Sequence, residues 1–200
     1  MISGIFGLPR AGKTTALTWI SRVALKGKSP FVGHLVGGRT YLGEFAPYDK
    51  VFSTFPLPGC YKLEWETLGH FDYHNCLLLI DEISLYCDNR DWKNFTPELR
   101  AFFCLHGHRK LDIIYCGQHW EQCDKKIQQM TQQLLLIEKF GGMTKISPIN
   151  TSFKVAQGAP QMKYYAAAPL GCSFIRRKKY YQYFDSFAIS PLPPVPLVPW

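Results

Sequence analysis

The chain has 200 residues, 46% of them hydrophobic and 19% charged, which supports one sizeable core and excludes wholesale disorder. Its net charge of +8 is uneven: residues 1–50 carry seven basic and two acidic groups, 51–100 four and eight, 101–150 six and four, and 151–200 six and one. Basic ends around an acidic middle suit an anionic partner such as a nucleotide, a nucleic acid or an anionic lipid surface.

In chain order, Met1–Phe6 reads as a short apolar strand. Lys13–Leu25 reads as a helix with Ala16, Leu17, Ile20, Val23 and Ala24 on its apolar side. Residues 27–50, rich in Gly and holding Pro30 and Pro47, form a loop or hairpin excursion. Val51–Phe55 is a strand closed by Pro56-Leu57-Pro58-Gly59. The continuous apolar run Cys76–Ile80 predicts a strand buried on both faces of a parallel sheet. Pro97–His106 is a helix capped by Thr96, with Leu99, Phe102 and Phe103 on one side. Leu111–Cys116 is a second buried strand, followed by a helical stretch over Glu121–Met130. Leu134–Phe140 and Lys145–Phe153, separated by Gly141-Gly142, form an antiparallel pair. Prolines 191, 193, 194, 196 and 199 make residues 189–200 an extended tail or linker. Strands alternating with helices predict an α/β domain over 1–188 with a mostly parallel sheet and C-terminal edge strands.

The seven cysteines are odd in number and contain no CxxC, which points to reduced thiols in the cytoplasm. No apolar run approaches the ~18 residues that cross a membrane. A cleavable signal does not fit ahead of a motif that begins at Gly7.

That motif, Gly7-Leu8-Pro9-Arg10-Ala11-Gly12-Lys13-Thr14, matches GxxxxGK[ST] between a predicted strand and a predicted helix, with Thr15 following. Gly7 and Gly12 let the backbone curl so that successive N–H groups face phosphates at the positive end of a helix. Lys13 supplies a point charge to the β- and γ-phosphates of ATP, and the Thr14 hydroxyl completes a Mg²⁺ shell. The strand Leu77–Ile80 ends in Asp81-Glu82 at the edge where open α/β sheets bind ligands. Asp81 is read as the Mg²⁺-holding carboxylate and Glu82 as the group that polarises attacking water. The strand at Asp112–Cys116 ends in Gly117-Gln118, whose amide can sense the γ-phosphate or orient water. A phosphate loop, an Asp-Glu strand and a strand with a polar end describe the additional-strand, catalytic-glutamate type of P-loop NTPase. The rival readings are a nucleotide or small-molecule kinase and a non-hydrolysing, nucleotide-gated assembly scaffold. Cys104, His106, His108, Cys116 and His119 include metal-ligand types, but their spacing does not form a zinc site.

Leu99-Arg100-Ala101-Phe102-Phe103, His106-Gly107-His108-Arg109, Leu111-Asp112-Ile113-Ile114, Gly117-Gln118 and Cys123-Asp124-Lys125-Lys126-Ile127 resemble the zonular occludens toxin (Zot) family. So does Tyr181-Gln182-Tyr183-Phe184-Asp185-Ser186, and the resemblance extends over residues 1 to about 188. It implies an assembly ATPase of filamentous phage that extrudes single-stranded DNA, working as a homo-oligomer beside host inner-membrane assembly proteins. The expected location is cytoplasmic, peripheral at the inner face of the membrane. Many members continue into a membrane-spanning helix, where this sequence has its Pro-rich tail; Arg10 also stands where a small residue is more usual. Arg109 is the candidate arginine finger, reaching a neighbour's γ-phosphate. Arg176-Arg177-Lys178-Lys179, with Tyr180, Tyr181 and Tyr183, reads in three ways: a single-strand DNA contact, an anionic-lipid contact or a solvated edge strand.

Overall fold

The computed structural model describes residues 1–28, 40–41, 44–45, 47–88, 95–156, 159–165 and 172–184. The Pro-rich tail at 189–200 and the last residues of the expected domain, 185–188, lie outside that set.

Apolar runs decide the centre of the sheet. Strands β1 (Ile2–Phe6) and β6 (Cys76–Ile80) are buried at every position, as is β7 (Asp112–Gly117). Strands with both faces covered lose no side chain to water, so unbroken hydrophobic runs are stable only there. With β4 (Lys50–Ser53), β5 (Tyr61–Lys62) and β8 (Gln133–Phe140), they form a parallel block in the order β8-β1-β7-β6-β4-β5. The registers Phe6↔Gly117 and Ile80↔Tyr115 bring the C-terminal ends of β1, β7 and β6 to one edge.

The antiparallel part adds β9 (Met143–Ala156) to β8, then β10 (Ala159–Tyr165) and β11 (Ser173–Arg176) to β9, giving nine strands in this sheet among the described residues. The expected 134–140/145–153 hairpin is present, with Phe140 paired to Met143 across the glycine turn. Pro148, which has no N–H to donate, falls between the β11 and β10 registers. A separate hairpin of β2 (Thr40–Tyr41) and β3 (Glu44–Phe45) occupies the expected excursion.

Helices cover the two faces. Helix α1 (Lys13–Ala24) packs Ala16, Leu17, Ile20 and Ala24 against Ile5, Leu77, Leu79, Ile114 and Leu135. Helix α2 (Pro97–Cys104) packs Leu99, Phe102 and Phe103 against Ile2, Phe6, Leu78, Ile80 and Ile113. Thr96 caps α2 as expected, accepting from the Leu99 amide at 3.3 Å. The helix expected over 121–130 is divided: a 3-10 turn at Trp120–Gln122 precedes α3 (Lys125–Met130). The break follows from Asp124, whose side chain accepts from the Lys126 amide at 2.7 Å and so starts a new helix.

Candidate functional site

The loop between β1 and α1 carries the phosphate-binding geometry. Gly7 cannot bear a side chain, because a Cβ there would stand 2.3 Å from the Ile137 carbonyl oxygen of β8. Gly12 has φ 105°, and its Cβ would stand 2.1 Å from Thr144 Oγ1. Gly12 also occupies the N-cap of α1 without a side-chain cap, and the first helical turn holds no acidic residue. Helices α2 and α3, by contrast, are capped by Thr96 and Asp124. An N-terminus left this way offers its N–H groups and positive dipole end to an anion. Lys13, 9% exposed, donates from Nζ to the Gly7 carbonyl at 3.0 Å and to the Leu8 carbonyl at 3.4 Å. Those bonds lay the ammonium across the mouth of the loop. Leu8, Pro9 and Arg10 are exposed, Ala11 and Thr15 are buried. The Arg10 backbone is left-handed at φ 62°, and its side chain points to solvent, away from the packed interior.

Two further strand ends meet this loop. Asp81 follows β6, and its Oδ2 accepts from the Thr14 hydroxyl at 2.9 Å. The Asp81 amide donates to Thr54 Oγ1 at 2.9 Å, so the residue that follows β4 holds the Asp81 backbone in place. Burial raises the Asp81 pKa above its ordinary 3.8, Thr14 and Lys13 lower it, and the neighbouring Glu82 raises it. An ionised carboxylate in this position fits a cation, and the hydroxyl beside it is a second oxygen donor of the kind Mg²⁺ takes. Glu82 itself is left-handed at φ 51°, a conformation that costs a non-glycine residue about 1–2 kcal/mol. Ser84 Oγ donates to Glu82 Oε1 at 3.0 Å and fixes the carboxylate. Gln118 is exposed immediately beyond β7, the strand that lies between β1 and β6. It therefore stands between the phosphate loop and Asp81-Glu82.

Arg109 is elsewhere. It precedes β7, so it lies at the N-terminal edge of the parallel block, opposite the phosphate loop. There its guanidinium is 3.9 Å from Asp72 and 5.9 Å from the centre of the Phe102 ring. It takes no part in this chain's own phosphate site.

The basic cluster is corrected by the structure. Arg176, Lys178 and Lys179 are exposed, but Arg177 is 8% exposed and Tyr180 9%. Arg177 donates from Nη1 to the Arg10 carbonyl at 3.2 Å, from Nη2 to the Ala11 carbonyl and from Nε to Thr144 Oγ1 at 3.0 Å. Hydrogen bonds from a charged donor contribute about 1.5–3 kcal/mol each, so three of them offset the desolvation of one guanidinium. Sequence reading missed Thr54, Thr144 and Arg177. For Arg177 a signal existed: alternation along β11 puts Ile175 and Arg177 on one face and Phe174 and Arg176 on the other.

All seven cysteines are free thiols. Burial pushes Cys60 up to about 11 and Cys123 up to about 12, so neither is a ready nucleophile.

Stability carries the imprint of the site. Because folding raises the Asp81 pKa, its ionised form costs stability at neutral pH, and the cost disappears below the ordinary carboxylate pKa. Asp81→Asn is expected to melt above the wild type at pH 7 without nucleotide, with the difference closing as pH falls toward 3.8. A melting series by circular dichroism checks this; an Asp81→Asn protein that melts lower at pH 7 contradicts it.

The fold, with β7 inserted between the phosphate-loop strand and the Asp81 strand, is that of an additional-strand P-loop NTPase. The family model described as "Zonular occludens toxin (Zot)" matches residues 60–164. This chain belongs to the Zot family. Among solved structures, the N-terminal domain of zonular occludens toxin from Neisseria meningitidis matches at 16% identity and TM-score 0.50, covering 92% of this chain and 98% of that one. The genome packaging NTPase B204 from Sulfolobus turreted icosahedral virus 2, in complex with sulfate, matches at 9% identity and TM-score 0.49, covering 84% and 96%. No curated protein matches the chain in sequence. Among the described residues, no helix is long and apolar enough to cross a membrane.

Proposed function

We propose that the chain is an ATPase that hydrolyses ATP at the β1–α1 loop with Mg²⁺ and drives assembly of filamentous phage and export of its single-stranded DNA. The observation that carries the reading is the meeting at one sheet edge of Lys13, the Thr14–Asp81 pair, Glu82 and Gln118. Membership of the Zot family supports the phage context.

Each side chain has a separable task. Lys13 exchanges its two loop carbonyls for phosphate oxygens when nucleotide enters, which opens the mouth of the loop. The uncapped N-terminus of α1 receives the phosphates with N–H donors already aligned, so the main rearrangement on binding is in the loop and Lys13. Thr14 and Asp81 would hold Mg²⁺, which would supply neutralisation of phosphate charge. Glu82, held by Ser84, accepts a proton from the attacking water, and Gln118 orients that water or reads the γ-phosphate. Arg109, on the opposite edge, serves in this proposal as a finger to the site of a neighbouring copy in a homo-oligomer.

The test is phosphate release from ATP by the purified chain across a dilution series, with and without single-stranded DNA. Turnover per chain should rise with concentration and with DNA. Turnover that stays flat across the series removes the shared-site part of the reading, and phosphate transfer to a nucleoside acceptor replaces it with a kinase.

Arg176, Lys178 and Lys179 are exposed in the same short segment as the exposed rings of Phe174 and Tyr181, a composition that can pair phosphates while rings stack on bases. Replacing these three cations with Gln, and leaving Arg177 in place, is expected to weaken single-strand binding equally across sequences. The plot of log K against log salt should flatten by up to ~0.7 for each phosphate that no longer meets a cation. An unchanged slope takes the segment off the DNA path, and liposome co-sedimentation of the same variant then tests an anionic membrane surface.

A further inference from the structure

We propose that Arg177 and Thr144 form a brace that positions the phosphate loop for nucleotide and ties its occupancy to the segment Ser173–Tyr183; this deepens the nucleotide-binding reading and rests on it. The Ala11 carbonyl receives two donors, Arg177 Nη2 and the Thr144 hydroxyl, the latter at 3.4 Å. Thr144 donates there while its own oxygen accepts from Arg177 Nε at 3.0 Å, so the hydroxyl links the guanidinium to the loop carbonyl. In a trans peptide the C=O and N–H point in opposite directions. Holding the Ala11 carbonyl outward therefore turns the Gly12 N–H inward, toward the concave side of the loop where Lys13 lies. The preceding peptide is held at both ends in the same way. Its carbonyl, that of Arg10, accepts from Arg177 Nη1 at 3.2 Å, and its N–H, that of Ala11, donates to the Leu8 carbonyl at 3.1 Å.

The brace also gives Gly12 a second reason to be glycine. A Cβ there would meet Thr144 Oγ1 at 2.1 Å and Arg177 Nη2 at 3.3 Å, so the two side chains occupy the space it would need. Both come from outside the loop. Thr144 is fully buried in β9, in register with Ile175 of β11, and Arg177 opens the 3-10 turn that follows β11. The Arg177 amide is itself fixed to the Gly142 carbonyl at 3.2 Å in the β8–β9 turn. A change in the loop on nucleotide binding is thus felt by the C-terminal segment, and ordering of that segment is felt by the loop.

Two variants test this. Arg177→Met keeps the aliphatic stem and removes every donor; Thr144→Val keeps the shape and removes the hydroxyl. Both are read by equilibrium binding of a fluorescent ADP analogue, by KM and kcat for ATP, and by amide hydrogen exchange with and without ADP. In Arg177→Met, Kd and KM should rise roughly tenfold or more, as for a misplaced supporting group, while kcat at saturation changes far less. Thr144→Val should move in the same direction by a smaller factor, and the double variant should be no weaker than Arg177→Met alone. ADP should slow exchange over Ser173–Tyr183 in the wild type and not in Arg177→Met. If Arg177→Met does not fold, the Kd of Thr144→Val decides. A Kd unchanged from wild type in the folded variants overturns the brace alone, as does a fall in kcat with KM unchanged. A wild-type chain that binds no nucleotide overturns both the brace and the reading beneath it.

Discussion

Lys13→Ala is expected to abolish turnover and to weaken nucleotide binding, in a protein that still folds. The reason lies in what Lys13 touches. Its ammonium is buried beneath the loop and held by the Gly7 and Leu8 carbonyls alone among the bonds its Nζ makes with the described residues. Removing it takes one donor from each of two neutral carbonyls, the Gly7 bond being buried and the Leu8 bond part-buried. It also removes the desolvation cost of one buried ammonium, which offsets part of that loss. The effect on chemistry is much larger. Phosphoryl transfer depends on positioned positive charge, and loss of one such preorganised group costs ~10²–10³-fold in rate. Wild-type turnover in folded Lys13→Ala would remove the loop from the mechanism.

Glu82→Gln is expected to separate binding from hydrolysis. Gln is isosteric, tolerates the left-handed backbone at φ 51° as Glu does, and still accepts from Ser84 Oγ through its amide oxygen. What it cannot do is take a proton from water. Hydrolysis should therefore slow by ~10²-fold or more, the usual range for loss of a general base, while ATP stays bound. Single-turnover quench measurements beside equilibrium binding check both halves. A variant that loses binding but keeps its rate constant would give Glu82 a structural task.

The two substitutions act on features that were legible in the sequence for different reasons. The Gly7–Thr14 spacing is local: a loop of fixed length between a strand and a helix leaves its pattern in consecutive residues. Asp81-Glu82 was legible because the run Cys76–Ile80 needs burial on both faces, which forces the following carboxylates to the edge of a central strand. Gln118 and Arg109 could be told apart by the same logic. In a parallel sheet all strands end at one edge, so the residue after β7 lies at the edge of the phosphate loop and the residues before it lie at the opposite edge. The marginal strands β5, β10 and β11 left no comparable signal, since strands at a sheet margin are set by what they pair with. Arg177 was hidden by its neighbours: among four adjacent cations, composition says surface, and only the two-residue alternation through Ile175 says that one of them turns inward. Thr54, just beyond β4, and Thr144, within β9, are ordinary threonines until tertiary packing brings them to Asp81 and Ala11.

Hydrolysis at the β1–α1 loop is tested by a single-turnover experiment on the wild-type chain with γ-labelled ATP, with and without Mg²⁺, following bound nucleotide and released phosphate together. Nucleotide binding followed by Mg²⁺-dependent phosphate release to water is the predicted result. Tight binding with no release would contradict it in favour of a nucleotide-gated scaffold, and the absence of binding would contradict the phosphate-site reading itself.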